Sequence, residues 1–312
     1  MKSILNDFSF SLDFLRVLMY NVRVGSEHST FLEEIKMIIL GKIIDILKFS
    51  ASTPEMFGWV HILSLILAIV LGIVLSIVFK GANEKTVRRI LLITSLISIA
   101  LEIYKQFVFS FSFDGQVVTF DYQWYAFPLQ FCSTPMYVGL LAAFIKKKWL
   151  HETLCAYLAT YGLFAGLAVM FYPATVFIEL VGINIQTMVC HGLMVSIGIF
   201  LLASGYVKPK HKTMLSALCL FASIVGVVMI LNEVVYYSGI LNGETLNLFF
   251  ISRHFEPSLA VYSIFQKLIP YPFCVFFYIF GFSGASYILL LIDMCIHKLV
   301  YVINKKHRSV TQ

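Results

Sequence analysis

The hydrophobic pattern divides this chain into seven long apolar stretches separated by polar loops. Each stretch is close to the roughly 20 residues that a helix needs to cross a bilayer. The pattern therefore predicts an all-α, polytopic membrane bundle of about seven transmembrane helices, with a transmembrane domain over residues 55–302. The stretches are residues 57–79, 89–110, 126–145, 150–171, 185–205, 214–238 and 271–297.

Composition agrees with a membrane protein. Of the 312 residues, 59% are hydrophobic and only 13% are charged, whereas a soluble domain carries about 25% charged residues. The net charge of +6 lies mostly in short loops, which indicates membrane orientation rather than nucleic-acid binding. All six cysteines fall in apolar stretches and no C-x-x-C pair occurs. The sequence therefore predicts no metal site and no cofactor.

Loop charge predicts the orientation. The loops after the second and fourth stretches carry only the acidic residues Asp114, Asp121 and Glu179. Because basic loops stay on the cytoplasmic side, we expect a multi-pass protein of the cell membrane with its N-terminus outside and its C-terminus in the cytoplasm. The loops after the odd-numbered stretches contain Lys80, Lys85, Arg88, Arg89, Lys146, Lys147, Lys148, Lys208, Lys210, Lys212, Lys298, Lys305, Lys306 and Arg308.

Three segments lie outside the predicted helices. Residues 1–54 contain amphipathic stretches, the second starting at Thr30 with Glu33 three residues later, a capping-box signature. That helix fits an interfacial position or a place packed on the bundle. Asp7, Asp13 and Arg16 interrupt the apolar residues near the N-terminus, so no signal peptide is predicted. The long outer loop 239–270 has the length of a lid or binding loop, and residues 303–312 form a basic tail.

Five polar residues interrupt the apolar stretches, and threading places all of them about 6–12 Å below the outer surface. A charged group inside hydrocarbon costs about 2.5 kcal/mol or more, so such groups usually face the bundle interior. We therefore expect a polar cavity in the outer leaflet. The five residues are His61, Glu102, Gln130, His191 and Asn232.

Neighbouring polar residues extend this layer along the helix faces. Lys105 follows Glu102, Thr187 precedes His191 and Thr134 follows Gln130, each at three- or four-residue spacing. Structural explanations stay open: Glu102 and Lys105 suit an ion pair, and His61 and Asn232 suit interhelical hydrogen bonds.

Two prolines flank the start of the third stretch. Pro135 removes a helical hydrogen bond and crowds the carbonyl of Phe131, so we expect a kink beside Gln130. Broken backbone at membrane depth is tolerated where it lines a cavity. Cys132 points away from the polar face of a regular helix, but an unwound helix would allow it to turn inward.

The layer offers imidazole, carboxylate, amide, hydroxyl and thiol groups, without a hydrolase, nucleotide-binding or metalloprotease motif. His191 and Glu102 are the candidate catalytic residues, because a histidine can activate a thiol or hydroxyl for acyl transfer. The candidate cavity or substrate-binding residues are His61, Lys105, Gln130, Cys132, Thr134, Thr187, Asn232, Asn247 and Arg253.

Ordered short motifs over residues 55–295 resemble the YwaF-type family of bacterial integral membrane proteins, which is similar to the eukaryotic transmembrane protein 164 family. The resemblance implies a membrane bundle. It also implies phospholipid acyltransferase activity, and a more distant likeness to membrane threonine hydrolases of fatty-acid esters. Two positions depart from the pattern, since Gln130 stands where histidine is usual and Leu248 where tyrosine is usual. The motifs are Phe57-Gly58-Trp59-Val60-His61, the Glu102 stripe, Pro128-Leu129-Gln130-Phe131-Cys132, His191-Gly192-Leu193, Asn232, Asn247-Leu248-Phe249-Phe250, Pro257-Ser258-Leu259 and Pro270-Tyr271-Pro272-Phe273.

Two functions follow from these residues. The first is a lipid-directed acyltransferase or ester hydrolase that works on an acyl ester in the outer leaflet, with membrane lipid as its partner. The second is a transporter or lipid-binding protein without chemistry, in which Glu102, Lys105 and His191 form a proton-linked relay. The sequence does not indicate the nucleophile, the substrate or the oligomeric state.

Overall fold

The computed structural model describes residues 30–173, 176–256, 259–271 and 273–310. The chain forms two compact units. The first unit comprises residues 1–49 and 110–122, and the second comprises residues 50–109 and 123–312. The earlier of the two predicted N-terminal amphipathic stretches lies outside the described residues.

The first unit contains helix α1, Thr30–Leu47, and an antiparallel hairpin of strands β1, Phe111–Phe113, and β2, Val118–Phe120. The ring of Phe113 lies where a side chain at Gly41 would be, so glycine allows α1 to approach β1 closely. The helix starts at the predicted residue. The hairpin is a short non-helical addition to the predicted all-α fold: Asp114 accepts turn hydrogen bonds from two backbone amides and favours a turn.

The second unit is almost entirely helical. Its helices are α2, Trp59–Val78; α3, Glu84–Ser110, whose last residue belongs to the first unit; α4, Thr134–Phe144; α5, Lys148–Phe171; α6, Val181–Ala203; α7, His211–Tyr237; α8, Ala260–Leu268; and α9, Phe273–Val310. Helix α5 contains one π-helical turn at Leu158–Gly162.

Within the described residues, five helices are long and apolar enough to cross a membrane: α2, α5, α6, α7 and the Phe273–Ile303 part of α9. A helical membrane bundle is therefore confirmed. The predicted second stretch lies in α3, and the predicted third corresponds to the short apolar segment Phe131–Phe144. The number of seven crossings stays a prediction, since α3 and α4 do not meet the same criteria.

The third predicted stretch differs from expectation because its first residues are not α-helical. Residues Phe131–Ser133 form a single 3-10 turn, and Gln130 before it is extended, with φ −83° and ψ 165°. Pro135 lies in the first turn of α4, where a missing backbone N–H leaves no intrahelical bond unmade. The proline therefore starts a helix rather than kinking one.

Small residues bring α6 close to two neighbours. A side chain at Gly72 of α2 would come within 2.9 Å of Ile199 of α6, and Ser196 of α6 donates a 2.7 Å hydrogen bond to the carbonyl of Ala68. A side chain at Gly166 of α5 would come within 2.9 Å of the carbonyl oxygen of His191. This packing fixes the backbone of α6 at the candidate catalytic histidine.

The long loop of residues 239–270 has structure of its own. It contains a 3-10 turn at Leu248–Phe250 and helix α8. Side-chain amides from two other elements bind its backbone, as described below.

Candidate functional site

His191 has one engaged and one free ring nitrogen. Its Nδ1 lies 2.7 Å from the carbonyl oxygen of Thr187, one turn earlier in α6. A carbonyl only accepts hydrogen bonds, so Nδ1 carries the proton and Nε2 presents a lone pair. Nε2 is buried and has no hydrogen-bond partner among the described residues. This is the protonation pattern of a general base that awaits a donor.

Glu102 bonds to two neighbouring side chains of α3. Its Oε1 accepts a 2.7 Å bond from the ammonium of Lys105 and a 2.9 Å bond from Nε2 of Gln106. The same Gln106 nitrogen donates to the carbonyl of Ala126 at 2.7 Å. The expected ion pair is present, and the Glu102 side chain is only 9% exposed. This arrangement makes Glu102 a positioning group for Lys105.

The Glu102–Lys105 pair stands among groups from α4 and α6. The charge of Lys105 acts electrostatically on Cys132, Cys190 and His191. The charge of Glu102 acts on Tyr137 and on Cys190. The partly buried ammonium of Lys105 thus acts on both a thiol and the His191 imidazole.

Cys132 lies in the 3-10 turn before α4 and is partly buried. Its thiol interacts electrostatically with two buried tyrosines, Tyr157 and Tyr278, which places it toward the interior of the second unit. Thr134 differs, because its hydroxyl donates to the carbonyl of Phe131 at 2.8 Å and pairs with the Tyr157 hydroxyl at 2.7 Å. Of these two candidates, the thiol is the better nucleophile, since the Thr134 hydroxyl is fully bonded.

Gln130 and Asn232 bind the backbone of the long loop, residues 239–270. Gln130 accepts a 2.9 Å bond from the amide of Phe249 and donates a 3.2 Å bond to the carbonyl of Asn247. Asn232 accepts from the amide of Leu248 at 3.0 Å and donates to its carbonyl at 3.1 Å. Both side-chain amides therefore use their oxygen and their nitrogen to bind the backbone of this loop.

His61 also has a structural environment. Its Nδ1 accepts a 2.9 Å bond from the amide of Phe57, and its Nε2 donates a 2.7 Å bond to the carbonyl of Met170 in α5. Both nitrogens are used and the residue is 1% exposed. His61 joins α2 to α5, in agreement with the interhelical hydrogen bond considered from the sequence.

The remaining candidates lie at the site's edges. The hydroxyl of Thr187 donates a 3.4 Å hydrogen bond to the side-chain oxygen Oε1 of Gln186. Asn247 accepts from the amide of Ser252 at 2.9 Å. Arg253 forms a 2.7 Å ion pair with Glu233 of α7 and is 46% exposed. The hydrogen bond and charge of Glu233 raise the pKa of the Arg253 guanidinium.

A narrow cleft lies between α3, α4, α5 and α6, mostly apolar in its lining. Ser95 and Ser98, from the Glu102 face of α3, contribute polar groups to it. None of the five polar-layer residues is among the lining residues. The layer is thus a set of separate hydrogen-bonded sites, and the polar cavity stays a prediction. Among the described residues, no group of three or more His, Cys, Asp or Glu side chains is placed to hold a metal ion.

The sequence interpretation missed three residues at the site. Gln106 binds Glu102 one turn away, and its i+4 position on the same face could have identified it. Cys190, whose Sγ accepts a 3.6 Å bond from Nε2 of Gln186, has the same i+4 spacing from a polar residue. Tyr157 meets Thr134 only through packing of α5 against α4, which no local pattern indicates.

Comparison with known proteins identifies the family of this chain. The sequence model of the TMEM164 family matches residues 56–292. This range contains α2 to α8 and the candidate site, and leaves α1 outside. No curated protein and no solved structure matches the chain significantly. Because the match covers about three quarters of the chain, the protein belongs to the TMEM164 family.

Proposed function

We propose that this membrane protein is a lipid-directed acyltransferase or ester hydrolase, with Cys132 as nucleophile and His191 as base. One observation carries the proposal: Nε2 of His191 is buried without a partner among the described residues, and the charge of Lys105 acts on both this imidazole and Cys132. A thiol, an imidazole and a cation are the groups that acyl transfer needs. The turn that contains Cys132 supplies the thiol, and α6 supplies the imidazole.

In the first step, the thiol of Cys132 gives its proton to Nε2 of His191, and the sulfur attacks the carbonyl carbon of a lipid ester. The ester C–O bond then breaks, and the departing alkoxide takes the proton from the imidazolium. The products are a lysolipid alcohol and an acyl thioester on Cys132. No hydrogen bond joins Sγ to Nε2 in the ligand-free structure, and catalytic contacts often tighten only around the substrate.

In the second step, His191 removes a proton from an acceptor hydroxyl, whose oxygen attacks the thioester carbonyl. The C–S bond breaks, and the proton returns to the sulfur. A lipid alcohol as acceptor gives acyl transfer, and water gives hydrolysis.

Lys105 has a supporting role in both steps. Negative charge develops on the ester carbonyl oxygen as the tetrahedral intermediate forms, and a fixed cation in a low-dielectric site stabilises it. Glu102 and Gln106 hold this cation through 2.7 and 2.9 Å contacts. This assigns Glu102 to orienting Lys105 rather than to proton transfer.

The alternative is a non-enzymatic transporter that uses the same residues as a proton-linked relay. Such a relay needs a carboxylate free to exchange its proton. Oε1 of Glu102 instead accepts hydrogen bonds from both Lys105 and Gln106. We therefore favour the enzyme, and place its chemistry in the outer leaflet of the cell membrane.

The test is a lipid profile of membranes that contain the wild type or one of three variants, Cys132→Ser, His191→Ala and Cys219→Ser. Cys219 is exposed and serves as the matched control. We expect a change in phospholipid acyl chains with the wild type and Cys219→Ser, and its loss, by about 100-fold or more, with the other two. Identical profiles from all four inserted proteins would exclude the enzyme. A pH-driven flux into proteoliposomes that is lost in Glu102→Gln would support the transporter instead.

A further inference from the structure

Four side-chain hydrogen bonds hold a short piece of the outer loop, residues 247–249. Gln130 bonds to the carbonyl of Asn247 and the amide of Phe249, and Asn232 bonds to both backbone groups of Leu248. Asn232 is 2% exposed. Two side-chain amides from separate elements thus bind four backbone groups: the N–H groups of Leu248 and Phe249, and the carbonyls of Asn247 and Leu248, which also accept from the amides of Phe250 and Ile251.

The backbone that they hold is strained. Phe249 and Phe250 have φ of 57° and 59°, the left-handed region that bulky side chains rarely adopt. Such a conformation persists only where the surrounding structure imposes it, and it is commonest at functional sites. The two side-chain amides bind the backbone of residues 247–249 and so help to hold this conformation.

The same segment contacts the turn that contains Cys132. The ring centroid of Phe249 is 5.7 Å from that of Phe131, the residue directly before Cys132. Phe131 also packs on Phe221 of α7 and Phe282 of α9, with ring centroids 5.4 and 5.0 Å away. The loop is therefore joined to the turn twice, through the amide of Gln130 and through this ring contact.

We propose that Gln130 and Asn232 are positioning residues: they lock residues 247–250 against the Phe131–Ser133 turn, which orients and shields the thiol of Cys132. This inference rests on the proposed function for the role of the thiol. It gives Gln130 a task that requires no base, and therefore suits an amide. The two nitrogens of a histidine can provide the same acceptor and donor.

The test measures the alkylation rate of Cys132 by N-ethylmaleimide in the membrane-inserted, full-length protein, followed by peptide mass spectrometry. Gln130→Ala or Asn232→Ala removes two hydrogen bonds to the loop, and we expect about tenfold faster labelling of Cys132. Gln130→His should keep a rate close to that of the wild type.

Asn184→Ala is the matched control. Asn184 holds the backbone of Ile178 as Asn232 holds Leu248, with bonds of 3.0 and 2.6 Å, but it does not contact residues 247–250. We expect unchanged labelling of Cys132 in this variant. An equal increase in Asn184→Ala, or no increase in Gln130→Ala and Asn232→Ala, would overturn the proposal.

A milder variant covers the case in which the alanine variants do not fold. Phe249→Leu keeps an apolar side chain but removes the ring contact with Phe131, and several-fold faster labelling is expected. An unchanged rate there would count against the proposal. Acyl activity separates the two hypotheses: activity retained in Cys132→Ser defeats the proposed function, whereas the labelling rates test the positioning role alone.

Discussion

At the scale of single residues, hydrogen-bond partners distinguish two histidines with the same predicted depth. His61 bonds through both ring nitrogens to the backbone, whereas His191 leaves Nε2 free. The sequence identified both residues from the cost of a polar group in an apolar stretch. It could not separate them, because the partners of His61 include the carbonyl of Met170, 109 positions away.

Replacement of the two histidines by alanine should lower the free energy of unfolding to different extents. His61→Ala removes two buried hydrogen bonds and leaves the Met170 carbonyl without its donor, so we expect a loss of about 3 kcal/mol in the free energy of unfolding. His191→Ala removes one bond, and a loss of about 1 kcal/mol is expected. Thermal unfolding in detergent measures both. A larger loss for His191→Ala would show that its role is structural.

At the scale of the elements, Arg88 of α3 completes the C-terminal end of α4. Its guanidinium donates to the carbonyls of Ala142, Ala143 and Ile145 at 2.9, 3.1 and 2.5 Å. The last carbonyls of a helix have no intrahelical partner, and this end meets the protein rather than open solvent. A residue that the sequence used as a marker of orientation is thus also a helix cap.

Arg88→Lys should therefore destabilise the protein by about 2 kcal/mol, because an ammonium cannot reproduce the planar fork of donors. The exposed neighbour gives the control, Arg89→Lys, with an expected change below about 0.5 kcal/mol. Arg88 also holds the pKa of the Glu84 carboxyl below its usual range. A carboxyl whose pKa is lower in the folded than in the unfolded protein stabilises the fold at pH values above its unfolded-state pKa. This contribution is lost as the pH falls through the lowered pKa. Equal unfolding temperatures for Arg88→Lys and Arg89→Lys would refute the capping role of Arg88.

Element boundaries were predicted unevenly. The long stretches in α2, α5, α6, α7 and α9 agree with the structure to within a few residues at most ends, since their length exceeds any boundary error. The third stretch does not, because hydropathy alone cannot distinguish an apolar 3-10 turn from an apolar helix. The hairpin had a local signal, Asp114-Gly115 between two alternating segments, but an interpretation built on spans passed over it.

At the scale of the whole molecule, the family match covers the helices of the second unit except for the end of α9, and it does not include α1. The candidate site lies within the matched range. Membership in the family and the helical membrane bundle are therefore established together, whereas orientation and the number of crossings rest on loop charge.

The loop at Gln116 distinguishes the two topologies. If α3 and the segment ending in α4 both cross, Gln116 lies outside and Lys146 inside. If neither crosses, both lie inside, and the later loops keep the same sides in either case. Both residues are exposed, so a cysteine at either position is accessible to a reagent on its own side of the membrane.

We expect a membrane-impermeant maleimide to label Gln116→Cys in intact cells, and Lys146→Cys only after permeabilisation. The wild type gives the background of the six native cysteines, and peptide mass spectrometry identifies the modified residue. Labelling of Gln116→Cys only after permeabilisation would reduce the bundle to the five crossings that length and hydropathy support. It would also place the hairpin on the cytoplasmic side. External labelling would fix seven crossings, because the basic residues at 146–148 would then require α4 to return the chain to the cytoplasm despite its eleven residues.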